Sequence, residues 1–310
     1  MDAFALPPAE TSRNSTHALV KSDYLFFEGT KKAPRPGWVR PSLSAPSPSP
    51  VVACETYPFF RSLLGYADLP VAHYRQQALM RRTAACLRTL GVTSVDEALI
   101  SLRKNPQLAE VALNTALLGV TEFFRDRAVF ELLRFSVLPA LVSQGVPLRI
   151  WSAACSEGQE LYSVALLLAE EGQLAGCELL GTDCRADAIR QAKLGIFAAE
   201  QVAQLDAHWR QNFFTENQVS ARIDPEIIRA LKWRTADLFA RIEPGPWHVI
   251  LWRNMAIYLE PFAALPIWQK LVAELRPGGY LITGKADHPP ASLNLERIAS
   301  CIYRKPAERI

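Results

Sequence analysis

The chain has 310 residues, 49% of them hydrophobic and 21% charged, with a formal net charge of +3. That length supports about two domains around a sizeable core, and the composition is that of an ordinary globular protein. So small a charge gives no ground for a nucleic-acid partner, no apolar run reaches the roughly 18 residues of a membrane span, and the opening MDAFALPPAE lacks a signal-peptide pattern.

Residues 1–55 read as a Pro/Ser-rich tail, punctuated by Pro34, Pro36, Pro41, Pro46, Pro48 and Pro50. Such a segment buries too little apolar surface to offset its ordering entropy, so disorder or polyproline II is expected. Tyr24-Leu25-Phe26-Phe27 is either a sticky spot within it or a docking piece. Residues 56–118 read as a small all-helical domain. Its clearest element is a helix from Val71 to Leu90, with Leu79, Met80, Leu87 and Leu90 on one side and Arg75, Arg81, Arg82 and Arg88 on the other. Gly91 is placed to end it, and Thr93 or Ser94 to cap a further helix through Lys104. Residues 119–146 form a connecting helix or linker.

From 147 to 310 strands alternate with helices. Strands are expected at Leu148–Ala154, Cys177–Asp183, Leu231–Leu238, Trp247–Asn254 and Tyr280–Thr283. The intervening helices include Leu161–Glu170, Ala186–Leu194 and Pro261–Leu275, the last ending at Arg276-Pro277-Gly278-Gly279. This spacing predicts an α/β fold with a mainly parallel sheet covered on both faces. The six cysteines and five histidines are scattered without ligand spacing, which predicts reduced thiols and no metal site.

In such a sheet, ligands bind beyond the carboxyl ends of the strands at the topological switch point. That rule selects Ala153-Ala154-Cys155-Ser156-Glu157-Gly158, Asp183, Asp237-Leu238 and Arg253-Asn254. An acidic residue ending the second strand suits a ribose, although Asp183 could equally cap the next helix. The first loop holds one glycine rather than the three that close on a pyrophosphate, which argues for a nucleoside ligand without phosphates. S-adenosyl-L-methionine is such a ligand, and its cationic methionyl end gives Glu160 a reason to face the pocket.

The stretch Val120-Thr121-Glu122-Phe123-Phe124-Arg125-Asp126 resembles the segment that joins the two domains of CheR-type chemotaxis receptor methyltransferases. Trp151 through Ser163 resembles that family's cofactor loop, and Gly181-Thr182-Asp183 and Arg253 through Tyr258 resemble two further motifs in the expected order. With Tyr74–Arg82, the resemblance covers roughly 56–304. It implies a Rossmann-like class I methyltransferase domain with S-adenosyl-L-methionine as cofactor. By the same resemblance, Thr121, Arg125, Ala154, Glu160, Asp183, Asp237, Leu238, Asn254 and Met255 bind the cofactor, and Arg125 and Tyr258 receive the substrate carboxylate. The partner implied is the glutamate-rich coiled coil of chemoreceptor cytoplasmic helices. Arg75, Arg81, Arg82 and Arg88 would dock it, with the protein acting as a cytoplasmic monomer.

The chain departs from the family pattern at Gly119, Glu157, Gln159, Leu161 and Asp237, and at Gly284-Lys285-Ala286-Asp287. These changes leave open a relative that binds the cofactor or a signalling partner without turnover. A methyltransferase of small molecules is a third reading, in which a basic helical domain has little purpose. A glutamate acceptor is already ionised at neutral pH, so no Ser-His or Cys-His pair is called for.

Overall fold

Successive side chains of a strand point to opposite faces, and the buried strands here use that alternation to build two cores. The computed structural model describes residues 50–117 and 121–307. Gly119 lies outside them, as do the proline-rich tail through residue 49 and its Tyr24–Phe27 piece. The described residues belong to one compact unit, Pro48–Ile310.

The helical segment comprises α1 (Pro50–Gly65), α2 (Gln76–Met80), α3 (Thr83–Leu90), α4 (Val95–Lys104) and α5 (Leu108–Leu117). Helix α1 begins upstream of the tail boundary expected at 55. Its opening proline lacks only an N–H that has no intrahelical partner in a first turn. Ser94 caps α4 through a reciprocal capping box with Glu97, and Gly91 ends α3 at φ 67°.

The single helix expected over 71–90 is broken. Val71–His73 is a 3-10 turn, and Arg81-Arg82 interrupts α2 and α3. At residues 73–75 the cause is tertiary. Arg75 N–H donates to Tyr258 O at 2.8 Å, Glu260 N–H donates to His73 O at 2.9 Å, and Tyr74 bridges Leu259 in antiparallel fashion. A segment held as a strand by a distant loop cannot also complete helical hydrogen bonds there.

Next come α6 (Arg127–Leu132), a π-helical turn (Leu133–Val137) and α7 (Leu138–Val142), followed by β1 (Arg149–Ala153), α8 (Gln159–Glu170), β2 (Glu178–Asp183) and α9 (Ala186–Leu194). An insertion holds β3 (Ile196–Ala198), α10 (Ala199–Ala203), α11 (Ala207–Phe213), β4 (Phe214–Glu216) and β5 (Ser220–Ile223). The chain closes with α12 (Pro225–Ala230), β6 (Leu231–Thr235), β7 (Trp247–Trp252), α13 (Pro261–Glu274), β8 (Leu275–Thr283), β9 (Glu296–Ala299) and β10 (Ile302–Arg304). The main sheet runs β6-β2-β1-β7-β8-β10-β9, parallel from β6 to β8 and antiparallel through β10 and β9. Strand order reverses between β1 and β7, the switch point at which a ligand crevice opens. A second, antiparallel sheet β3-β5-β4 lies within the insertion.

Arg276-Pro277-Gly278-Gly279 was expected as a helix-ending turn, yet it lies within β8. The C-terminal segment explains it: Gly278 N–H donates to Lys305 O at 2.9 Å and Lys305 N–H to Gly279 O at 2.8 Å.

On one face of the sheet Trp151, Ile250, Trp252 and Leu281 join Ile267, Trp268 and Leu271 of α13. The same core continues into Phe59, Phe60, Leu102 and Ala112 of the helical segment. On the other face Ile150, Val249, Leu251 and Ile282 pack with Phe130 and Leu133 and with Leu161 through Leu168 of α8. The helical segment thus shares its core with the sheet, which fixes it over the strand ends where the site lies.

Candidate functional site

Four loops meet beyond the carboxyl ends of β1, β2 and β7 and line one cavity. Thr121, Arg125, Ala154, Glu160, Asp183, Asn254, Met255 and Tyr258, all singled out in the sequence, contribute to its wall. Asp237 and Leu238 are not among the lining residues. Asp237 instead accepts the Phe239 N–H at 3.0 Å, as a turn cap does, and Leu238 is buried in the core. The helical segment closes the cavity with Tyr74, Ala78, Leu79 and Arg82.

The loops are held in unusual backbone conformations. Phe124, Asp126, Ala154, Ser156 and Asn254 all have φ between 51° and 62°, the left-handed region that non-glycine residues rarely occupy. Each such residue costs on the order of 1–3 kcal/mol and persists only where its surroundings over-determine it. Here those surroundings are visible. Phe124 N–H donates to Ser163 Oγ at 2.9 Å, and Ser156 N–H donates to Asp183 Oδ2 at 2.8 Å. Asp287, only 1% exposed, accepts the N–H groups of Asn254 and, at 3.0 Å, of Ile257. Burial raises the Asp287 carboxyl above the ordinary aspartate value, against the pull of those backbone N–H groups.

Glycines of these loops serve packing. A Cβ on Gly158 would lie 2.6 Å from the Trp233 ring, so this glycine admits an indole rather than a phosphate. A Cβ on Gly284 would come within 2.8 Å of Asn254 N, which is why the chain passes that loop without a side chain.

Arg253 ties the loops together, a role that the sequence did not disclose. Its side chain is 1% exposed and donates from Nη1 to Glu160 Oε2 at 3.1 Å and from Nη2 to Asp126 Oδ2 at 2.8 Å. The same Nη2 reaches Arg125 O at 2.8 Å. Glu160 also accepts Ser152 Oγ at 2.7 Å. Lys285, one of the departures from the family pattern, pairs with Asp126 at 2.9 Å. Burial pushes the Asp126 carboxyl up, but Lys285, Arg253 and Arg125 outweigh it and hold it below the usual range.

The other departures find plain places. Glu157 is half-buried and accepts from Gln159 Nε2 at 3.5 Å, while Leu161 is core. Of the four arginines assigned to docking, Arg75, Arg81 and Arg88 are exposed, and Arg75 Nε also donates to Leu259 O at 2.8 Å. Arg82 turns to the cavity wall.

Among the lining residues that the sequence reading did not place in the site are Tyr74 and Arg185. Tyr74 is 5% exposed; burial, with Cys184, Asp237 and Asp183 nearby, holds its phenol well above the ordinary value, so it offers a neutral hydroxyl. Arg185 is paired with Asp183, and its position two residues beyond the strand-end acid was its only signal.

Cys184 also lines the cavity, and burial, reinforced by Asp183, pushes its thiol up to about 12. At pH 8 its thiolate is then roughly a thousandfold scarcer than that of a free cysteine. Iodoacetamide at pH 8, followed by mass spectrometry, is expected to leave Cys184 unmodified while a model thiol reacts fully. Comparable rates would contradict that environment.

The site suits a phosphate-free nucleoside carrying a zwitterionic amino-acid end. Carboxylates and guanidinium groups both line the cavity, interleaved with the apolar walls of Leu79, Leu117, Ala154 and Met255. Buried Asp183 stands at the strand end that the switch-point rule selects.

Comparisons with known proteins agree. Residues 119–301 match the family described as CheR methyltransferase, SAM binding domain. A chemotaxis protein methyltransferase of Listeria innocua is 28% identical over 241 residues, 76% of this chain and 92% of the relative. Chemotaxis protein methyltransferase 2 of Pseudomonas aeruginosa is 26% identical over 84% of this chain and 99% of its own. A probable chemotaxis protein methyltransferase of Rhizobium etli is 30% identical over 66% of this chain and 82% of its own.

Proposed function

Because the chain belongs to the CheR methyltransferase family and carries its S-adenosylmethionine-binding domain, we propose that it esterifies glutamate side chains of chemoreceptors. The observation that carries this reading is a single cavity. It gathers the strand-end loops of the cofactor domain together with Arg125 and Tyr258.

Thr121, Arg125, Ala154, Glu160, Asp183, Asn254 and Met255 would hold the cofactor, and the core residue Leu238 and the cap Asp237 would support it from outside the cavity wall. When bound, S-adenosylmethionine supplies a methyl group on a sulfonium, open to in-line displacement by an anionic oxygen. A glutamate carboxylate is ionised at neutral pH, so no side chain has to remove a proton. What remains for the protein is alignment and exclusion of water, effects worth roughly 7–11 kcal/mol in favourable cases. Arg125 and Tyr258 orient the incoming carboxylate, and Tyr74 closes the cavity with an uncharged hydroxyl. Among the described residues, Arg253 keeps its pairs with Asp126 and Glu160, and the departure at Lys285 adds a further pair to Asp126. Turnover is therefore favoured over binding alone.

The exposed arginines Arg81 and Arg88, with Arg75 beside the bridge to Leu259, would form a basic outer face on the helical segment. That face suits a glutamate-rich receptor coiled coil. The protein would work as a cytoplasmic monomer on its receptor; no helix among the described residues is long and apolar enough to cross a membrane.

Two measurements test the reading together. Calorimetry is expected to detect binding of S-adenosylmethionine and of its demethylated product, and labelled cofactor to transfer its methyl group to receptor cytoplasmic fragments as a base-labile ester. Reversing charge at Arg81 and Arg88 is expected to weaken receptor binding several-fold at low salt, an effect that fades as salt screens it. Binding without transfer to any receptor fragment would refute the substrate, and no binding would refute the site.

A further inference from the structure

The acid at the end of β2 is already heavily engaged. Asp183 Oδ1 accepts two hydrogen bonds from one residue, the Arg185 backbone N–H at 3.0 Å and Arg185 Nε at 3.1 Å. Asp183 Oδ2 accepts the Ser156 N–H at 2.8 Å. An ionised carboxylate offers about four acceptor sites, two on each oxygen. Three are taken, and the remaining one is on Oδ2.

The arrangement is locked on several sides. The side chains of Arg185 and Asp183 are 8% and 6% exposed. Arg185 Nη2 also donates to Ser156 Oγ at 2.8 Å, which closes a ring through Ser156, Asp183 and Arg185. The backbone N–H cannot swing away at all. Withdrawing the guanidinium would strand a buried cation whose other charged neighbour is Glu157.

We propose that Arg185 is a specificity-determining residue: by filling Asp183 Oδ1 it makes Asp183 recognise one ribose hydroxyl of the cofactor rather than both. A vicinal diol facing an unencumbered carboxylate is held by both oxygens, whereas here only Oδ2 can receive it. The inference rests on the reading that Asp183 faces the ribose. Arg185 is a positioning residue in this scheme, acting through the carboxylate it holds.

The test is calorimetric titration of the full chain with S-adenosylhomocysteine and with its 2′-deoxy and 3′-deoxy forms. A hydrogen bond from a hydroxyl to a charged acceptor makes a difference of about ten- to a hundredfold in affinity. In the unaltered protein one deoxy form is expected to lose about that factor, and the other to stay within about threefold of the parent. In Arg185→Met, which keeps an unbranched side chain and removes its donors, the second site on Oδ1 opens and both deoxy forms are expected to lose affinity. Comparable losses for both forms in the unaltered protein overturn the inference and leave the ribose reading standing, because Asp183 then accepts both hydroxyls. No loss for either form overturns the inference and the ribose reading together. If Arg185→Met does not fold, the pair of deoxy forms against the unaltered protein decides by itself.

Discussion

Arg253→Ala is expected to lower the stability of the fold by about 3–5 kcal/mol, the usual consequence of removing one partner from a buried ion pair. The residue is suited to so large an effect because its side chain, 1% exposed, pairs with two carboxylates at once. Its removal leaves Glu160 and Asp126, 14% and 15% exposed, without the guanidinium between them. It also frees Arg125 O and loosens the left-handed turn at Asp126. Urea denaturation followed by circular dichroism measures the loss as a lower midpoint at unchanged slope. A change below about 1 kcal/mol would show that the cluster relaxes into water.

The pH dependence of that loss has a definite sign. The carboxyl of Asp126 is depressed in the fold, so the stability it contributes is present above the unfolded aspartate value and lost as pH falls through the folded one. The gap between the parent and Arg253→Ala is therefore expected to be full at neutral pH and to narrow below about pH 4. A gap that widens in acid would mean that Asp126 is not held ionised by this cluster.

Arg125→Ala is expected to reduce methyl transfer by about 10²–10³-fold, the range seen when one oriented charge-stabilising donor is removed from an active site. Stability should change by about 1 kcal/mol or less. What Arg125 gives the fold through its backbone, the carbonyl that accepts from Arg253, survives the substitution. Arg125→Lys is expected to recover only part of the rate, because an ammonium keeps the charge but not the planar fork that matches a carboxylate. Initial rates with labelled cofactor and receptor fragments measure both variants. Undiminished turnover in Arg125→Ala would remove the residue from the chemistry.

The strands of the cofactor domain were legible because burial on both faces leaves a local imprint. Leu148–Ala154 was expected and Arg149–Ala153 is found, Cys177–Asp183 became Glu178–Asp183, and Trp247–Asn254 became Trp247–Trp252. The strands β9 and β10 left no such imprint, both being short and β9 mostly exposed. The helix expected over 71–90 failed for a different reason. Its apolar spacing is helical, but backbone hydrogen bonds from residues 258–260 compete for the same N–H and C=O groups.

Of the residues expected at the cofactor and substrate site, Thr121, Arg125, Ala154, Glu160, Asp183, Asn254, Met255 and Tyr258 fall on the cavity wall. Asp237 and Leu238 lie off that wall because β6 ends at Thr235, and in the turn beyond it Asp237 accepts the Phe239 N–H.

By itself the sequence determined the alternation of elements, the switch point and the loops at the strand ends. Those follow from periodicity and chain order, which are local properties of the polypeptide. Only the tertiary structure decided how the charges in those loops are spent. Arg253 meets Glu160 across 93 residues and Asp126 across 127, distances over which no pattern in the chain announces a partner. Even the near pair of Asp183 and Arg185 needed the fold, because it takes burial and the return of Ser156 to turn two neighbours into a closed ring. Burial is a property of the packed whole, and it alone separates a solvated charge from one that shapes a site.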